Sequence, residues 1–259
     1  LASVDLANRR RQRERAAPNF ARYDFLYQLA VDDLSERLAN FNRDFASILV
    51  VGDHIGRLSD LCQLLYPEAL VVATDLSLGF IKQGKGIRIV CRDDMVPLAH
   101  GKWDLILSPL VLHLTENIPD TISGWYDLLS DSGIMLANCA GKQSLRELKR
   151  VLMQSEIGLK RPVVSHVLPL PDARQVATYL QQSKYQLPVV DSEVFRINYA
   201  DILGLMYDLR GMGQGGVTLQ LRPGYLTKEV LQVADRLYHE VYPSKDGSNI
   251  VATIEIISI

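Results

Sequence analysis

A doubly wound α/β domain, with a mostly parallel sheet covered by helices on both faces, is the fold class that this 259-residue sequence predicts. Three observations carry it. First, Ser47-Ile-Leu-Val-Val-Gly-Asp-His-Ile-Gly56 reads as a buried strand, a tight glycine turn and the start of a helix. About twenty residues later, Leu70-Val-Val-Ala-Thr-Asp75 reads as a second buried strand ending in a carboxylate. Second, further short runs rich in Val, Ile and Leu alternate with helix-like runs, as strands covered on both sides require. Third, no internal repeat or low-complexity linker interrupts the alternation.

The elements follow in order. Residues 5–18 carry Arg9, Arg10, Arg11, Arg13 and Arg15 in a helix-prone stretch ending at Pro18. This reads as a solvated helix face or terminal arm, with a basic patch that grips an acidic partner as the sharper alternative. Phe25, Leu26, Leu29, Leu34 and Leu38 recur at helical spacing, so one long amphipathic helix is expected over residues 20–38. Strands are expected at 47–51, 70–74, 87–91, 103–108 and 133–138, with helices at 57–65, 77–83, 118–129 and 144–155. Pro119 suits the first turn of its helix, and Asp131-Ser-Gly133 reads as the turn that launches the fifth strand.

Beyond Gly158 the pattern loosens. Pro162, Pro169 and Pro171 mark 158–171 as a surface loop and a candidate lid. Asp172 is the expected cap of a helix over 173–183. A sixth strand is expected at 187–198, a helix at 199–210 running into Gly211-Met-Gly213, a helix at 227–242, and a closing strand at 251–259. The chain thus reads as an N-terminal helical segment, 1–45, in front of a single domain, 46–259.

Composition narrows the function classes. Hydrophobic residues at 47% and charged residues at 22% fit a globular domain with a sizeable core. A formal net charge of -2 argues against a generally nucleic-acid-binding surface. Cys62, Cys91 and Cys139 show no metal-ligand spacing and read as reduced thiols, which with the lack of a signal-peptide pattern suggests a cytoplasmic setting. No apolar run reaches the roughly 20 residues of a bilayer span.

The candidate site lies where the strands end. Gly52 and Gly56, which lack a Cβ, let the backbone approach a ligand, with Asp53 and His54 in the same turn. Asp75, followed by Leu76, is placed to accept hydrogen bonds from the two hydroxyls of a ribose. After the third strand, Asp93 or Asp94 can accept from an adenine amino group while Met95 packs on the base; Ser108 closes the fourth strand. No lysine follows the glycines, as a phosphate cradle would want, and the turn is too poor in glycine for a pyrophosphate. S-adenosylmethionine has no phosphate to hold, and it fits these groups best. Each residue also has a plainer role: a tight turn for the glycines, a helix cap for Asp75, a solvated pair for Asp93 and Asp94. His54 and His113 are not assigned as bases.

These residues resemble class I S-adenosylmethionine-dependent methyltransferases of the type 11 kind. A narrower resemblance is to the mitochondrial complex I assembly factor 5 group and its alphaproteobacterial relatives. It is carried by Arg15-Ala-Ala17 with Tyr23-Asp-Phe-Leu26, by Trp103-Asp-Leu-Ile-Leu-Ser-Pro-Leu-Val-Leu-His-Leu114, and by a C-terminal set. That set comprises Asn198-Tyr199, Leu205-Met-Tyr-Asp-Leu-Arg-Gly-Met-Gly213, Lys245-Asp-Gly247 and Ala252-Thr-Ile-Glu-Ile256. The resemblance implies a three-layer, Rossmann-like, seven-stranded sheet with its last strand antiparallel, and an S-adenosylmethionine site at the glycine turn. It implies a protein substrate: a respiratory complex I subunit, on which the mitochondrial group is reported to hydroxylate arginine, or an acyl carrier protein. The malonyl-carrier-protein methyltransferase of biotin synthesis, with a similar Gly-x-Gly element in its tail, is the rival.

Three positions depart from the family pattern. Val50 stands where an acid usually ends the first strand, His54 replaces the middle glycine, and Arg92 replaces an acid before the third-strand motif. At roughly 1–3 kcal/mol for each buried hydrogen bond lost, every such loss weakens a cofactor about fivefold to more than a hundredfold. A catalytically degenerate assembly factor built on the same fold is therefore the alternative function.

Overall fold

The computed structural model describes residues 5–214 and 226–259. Its sheet has seven strands in the order β3-β2-β1-β4-β5-β7-β6. The parallel part is β1 (Ser47–Val51), β2 (Leu70–Asp75), β3 (Ile87–Val90), β4 (Trp103–Ser108) and β5 (Leu129–Ala140). Strand β7 (Ile250–Ser258) inserts antiparallel between β5 and β6 (Asp191–Tyr199), so the expected antiparallel last strand is present.

Helices cover both faces because the strand side chains alternate. Ile48 and Val50 of β1 face one core with Leu105 and Leu107 of β4; Leu49 and Val51 face the other with Ile106 and Trp125. The first core takes α2 (Phe25–Leu38), through Val31, Leu34 and Leu38, and α3 (Arg57–Leu65), through Leu58 and Cys62. The second takes α5 (Ile118–Leu128) and α7 (Ala173–Gln182). A third cluster joins α6 (Arg146–Gly158), α8 (Ile202–Gly211), α9 (Lys228–Val241) and the outer part of β7. Helix α7 starts where Asp172 and Gln175 form a reciprocal capping box.

Several boundaries differ from the sequence expectation, each for a local reason. The expected helix over 20–38 is broken. Helix α1 (Leu6–Ala16) leads into a 3₁₀ segment, Ala17–Arg22, with Pro18 in its first turn, and α2 begins only after Asp24. Strand β5 absorbs Asp131-Ser-Gly133, which is a register shift opposite Trp103 rather than a turn; a Cβ at Gly133 would lie 2.7 Å from the Trp103 carbonyl oxygen. Ser144 does not open α6, because its hydroxyl is tied to the Glu255 backbone and Leu145 takes a left-handed φ of 56°. Helix α4 shrinks to Leu78–Ile81, and β6 begins at Asp191. Among the C-terminal glycines, Gly215 and Gly216 lie outside the described residues.

Candidate functional site

The glycine turn leaves β1 as expected. The Gly52 and Asp53 N–H groups both donate to the Thr74 carbonyl, at 2.8 and 3.1 Å, which ties the turn to the end of β2. Gly52 (φ 76°) and Gly56 (φ 98°) adopt left-handed backbone that favours glycine. Their open sides meet protein rather than free space: a Cβ on Gly52 would lie 2.3 Å from Val111 Cγ1, and one on Gly56 would lie 2.8 Å from an Arg88 nitrogen. Asp53 is buried, accepting from Ser59 and from Arg88 at 2.9 Å, and burial outweighs these partners to push its carboxyl up to about 6.

His54 keeps the left-handed backbone of the glycine it replaces, at φ 51°, and fills the space that glycine would leave. Its ring stacks on Phe20 at 4.9 Å between centroids and packs against Tyr27 and Phe80. One ring nitrogen, Nε2, lies 3.1 Å from an Arg13 guanidinium nitrogen, and the other, Nδ1, lies 2.6 Å from the Gly52 carbonyl. Because arginine only donates, Nε2 accepts and Nδ1–H donates, so the ring is neutral. Burial first, and Arg13 second, hold its pKa down at about 3.

Asp75 ends β2 with no solvent exposure. Its oxygens accept from the Ser77 N–H at 2.8 Å, the His54 N–H at 3.2 Å, Arg13 Nε at 3.2 Å and Arg13 Nη2. Burial alone would raise this carboxyl, but the Arg13 charge and these hydrogen bonds together hold it below the usual carboxylate range. One helical turn away, Arg9 pairs with Asp93 and donates to the Leu114 carbonyl at 3.0 Å. Burial raises the Asp93 carboxyl despite Arg9, and its Oδ1 and Arg9 Nε have no hydrogen-bond partner among the described residues.

The N-terminal arginines therefore do something that the sequence reading missed. Arg10, Arg11 and Arg15 face solvent, but Arg9 and Arg13 turn inward and grip the chain's own carboxylates. Their i, i+4 spacing was the available signal; their partners, 84 and 62 residues away, were not readable. Tyr27 was also missed. Its hydroxyl donates to the Asp53 carbonyl at 2.6 Å.

The other expected contacts are distributed as follows. Leu76 is buried beside Asp75. Asp94 is tied to Arg92, at 2.7 Å, and Met95 is 65% exposed, so neither faces the crevice as an adenine platform in this state. Ser108 is buried at the end of β4, and its hydroxyl has no partner among the described residues. Asp75, Asp93, His54 and the turn come together; Asp94 and Met95 do not join them. With α1 docked, the two carboxylates expected to hold a nucleoside already accept from guanidinium groups. These residues fit an adenosyl group only with α1 withdrawn. The buried unpartnered atoms Asp93 Oδ1 and Ser108 Oγ show that polar capacity at the strand ends is left over.

On the far side of His54 and Tyr27 lies a cavity of about 220 Å³. Its walls are largely aliphatic, from Leu26, Leu110, Leu145, Leu148, Met206, Met212, Ile254 and Ile256, with His113, Ser144, His166 and Glu255 as its polar points. His113 accepts from the Ala140 N–H through Nδ1, at 3.2 Å, and burial holds its pKa at about 3. Val167, Leu168 and Leu170 of the expected lid loop form part of this wall.

Comparison with known proteins agrees with this architecture. No family model matches the chain. It is 26% identical over 262 residues to the mitochondrial arginine-hydroxylase NDUFAF5 of Danio rerio, covering 98% of this chain and 80% of the relative. The protein of the same name from Dictyostelium discoideum is 35% identical over 154 residues, 60% of this chain, and the match spans only about a third (35%) of that relative's length. The malonyl-[acyl-carrier protein] O-methyltransferase of Xylella fastidiosa is 28% identical over 174 residues, 64% of this chain and 57% of the relative. Among solved structures, a putative methyltransferase from Bacillus halodurans superimposes with a TM-score of 0.59 at 13% identity, covering 88% of this chain and 96% of that one. The chain thus has the Rossmann-like fold of class I methyltransferases, and its sequence is similar both to mitochondrial NDUFAF5 arginine-hydroxylases and to malonyl-[acyl-carrier protein] O-methyltransferases.

Proposed function

We propose that this protein is an S-adenosylmethionine-dependent methyltransferase that acts on a protein or carrier-protein substrate, in the manner of the complex I assembly factors. The observation that carries the reading is Asp75: an ionised carboxylate at the end of β2, beside the glycine turn, where a ribose diol would be accepted. In this reading Gly52, Asp53, His54 and Gly56 border the methionine part, Asp75 and Leu76 the ribose, and Asp93 the adenine, with Ser108 at the strand end. Bound S-adenosylmethionine supplies an electrophilic methyl group. The chain's own contribution is positioning, since methyl transfer to a lone pair needs orientation more than a dedicated base. The cavity behind His54 is the acceptor side. A macromolecular partner is supported by Arg10, Arg11 and Arg15, exposed along one helix, which suit an acidic surface such as that of a carrier protein. No described helix is long and apolar enough to cross a membrane. Three free cysteines suit a reducing compartment such as the cytoplasm.

Calorimetric titration with S-adenosylhomocysteine tests the cofactor. Binding that Asp75→Asn abolishes is the expected result, and no heat at millimolar ligand would remove the reading. Mass analysis of a carrier protein or of a complex I subunit, incubated with the protein and S-adenosylmethionine, then identifies the acceptor. A second reading, an assembly factor that works without cofactor, is favoured by one observation: the two guanidinium groups lodged in the crevice.

A further inference from the structure

We propose that helix α1 is a built-in competitor of the nucleoside, so that cofactor and docked α1 exclude one another. This rests on the cofactor reading above and adds its regulation. A ribose offers Asp75 two hydroxyl donors; Arg13 offers it two N–H donors from one planar group. An adenine amino group would donate to Asp93; Arg9 donates there instead. Residues four apart on a helix are about 6 Å apart along its axis, close to the roughly 4.8 Å between neighbouring strands. Arg9 and Arg13 can therefore address the ends of β3 and β2 at once.

The way α1 is held marks it as removable. Of its eleven residues only Arg9, Arg13 and Ala16 are buried, so no apolar stripe anchors it. Beyond the two ion pairs, Arg13 lies over the Phe80 ring and Ala16 packs at the end of the helix, while outside the crevice the Glu14 carboxylate accepts from the Leu78 and Gly79 N–H groups at 2.7 and 3.0 Å. Buried ion pairs are close to balanced against their desolvation, so a competing ligand that satisfies Asp75 and Asp93 meets little opposition from them. The Arg9 pair is also incompletely satisfied on both sides. Once released, an eleven-residue helix is too short to persist alone in water. Release is therefore visible as lost amide protection, with the 3₁₀ segment Ala17–Arg22 as the joint.

The test is hydrogen–deuterium exchange over residues 6–16 of the full chain, with and without S-adenosylhomocysteine, beside calorimetry of wild type and the Arg9→Gln/Arg13→Gln variant. Expected is faster exchange in α1 when wild type binds the ligand, and affinity at least about tenfold higher in the variant. Should the double variant fail to fold, Glu14→Gln loosens α1 from outside the crevice and is expected to raise affinity about threefold. Binding that leaves α1 protected, with affinity unchanged in these variants, overturns the competition and leaves the cofactor reading standing. An α1 that exchanges freely in the variants with no ligand bound by any form overturns the cofactor reading itself, and the competition with it.

Discussion

The crevice under α1, at the ends of β2 and β3, and the cavity behind His54, beside the ends of β4 and β5 and against β7, share His54 as a wall, but their materials are opposite. The crevice is crowded with Asp75, Asp93, Arg9 and Arg13, each buried, the Arg13–Asp75 pair well partnered and the Arg9–Asp93 pair less so. The cavity is walled by leucine, methionine and isoleucine and is left unfilled. The contrast teaches that one surface of the molecule is held closed by electrostatics that a ligand of matching polarity can replace. The other is held open by shape. The two differ in what a mutation should do to them.

The largest effect is expected at Asp75. Asp75→Asn leaves the Arg13 guanidinium buried without a countercharge, a loss of about 3–5 kcal/mol in chemical denaturation. A loss below about 1 kcal/mol would mean that Arg13 finds water or another partner, and that the crevice is wetter than its burial indicates. On the cavity side Leu148→Ala is expected to cost about 2 kcal/mol, the low end for a buried leucine, because part of its surface already faces empty space. A value near 5 kcal/mol would erase the contrast between the two regions.

Gly211 tests the joint between them. A Cβ there would lie 2.2 Å from the Tyr23 ring, and the neighbouring Met212 lines the cavity. Gly211→Ala should cost about 1–3 kcal/mol and speed amide exchange in α1, since Tyr23 must move. An unchanged exchange pattern would show that α1 docks independently of α8.

The pH dependence separates the two histidines from the rest. His54 and His113 are held at about 3, chiefly by burial, whereas an unfolded histidine titrates near 6.5. The stability they contribute is fully present above pH 6.5 and is lost as pH falls toward 3. Asp53, raised to about 6, works the other way: its contribution is present below its unfolded pKa and is lost as pH rises through 6. His113→Asn, whose amide oxygen can still accept from Ala140, should reduce the fall in stability by about 1.4 kcal/mol per pH unit between pH 6 and 4. Equal slopes in urea titrations of the two proteins would show His113 to be protonated when folded.

The smallest effect lies far from both regions. Asp172→Ala removes half of the α7 capping box and should cost about 1 kcal/mol without changing ligand binding.

Much of the parallel half was legible in the sequence. The spans of β1, β4 and α3 agree residue for residue with their expected ranges, since buried strands are continuous apolar runs and glycines mark their ends. Misjudged boundaries share a physical origin in partners distant along the chain. Ser144 looks like a cap until β7 engages its hydroxyl, and Gly133 looks like a turn until Trp103 lies beside it. At the site, the carboxylate Asp75 was readable from its place after a strand, but what satisfies it was not. A run of five arginines is readable as charge; which two turn inward depends on a helix phase fixed only by docking. The resemblance to methyltransferases anticipated a seven-stranded sheet with its last strand antiparallel, and it carried no information about the guanidinium groups that stand in the crevice.

The place of β7 has a consequence for synthesis. It enters the sheet between β5 and β6, so β6, made some fifty residues earlier, has no hydrogen-bonded neighbour until β7 leaves the ribosome. Until then the parallel strands can assemble while β6 waits as an unpaired edge. The cavity wall at Ile254 and Ile256, on β7, is completed only then, long after the carboxylates of the crevice have been placed. A growing chain therefore has the carboxylates of the crevice well before the cavity beside them is enclosed.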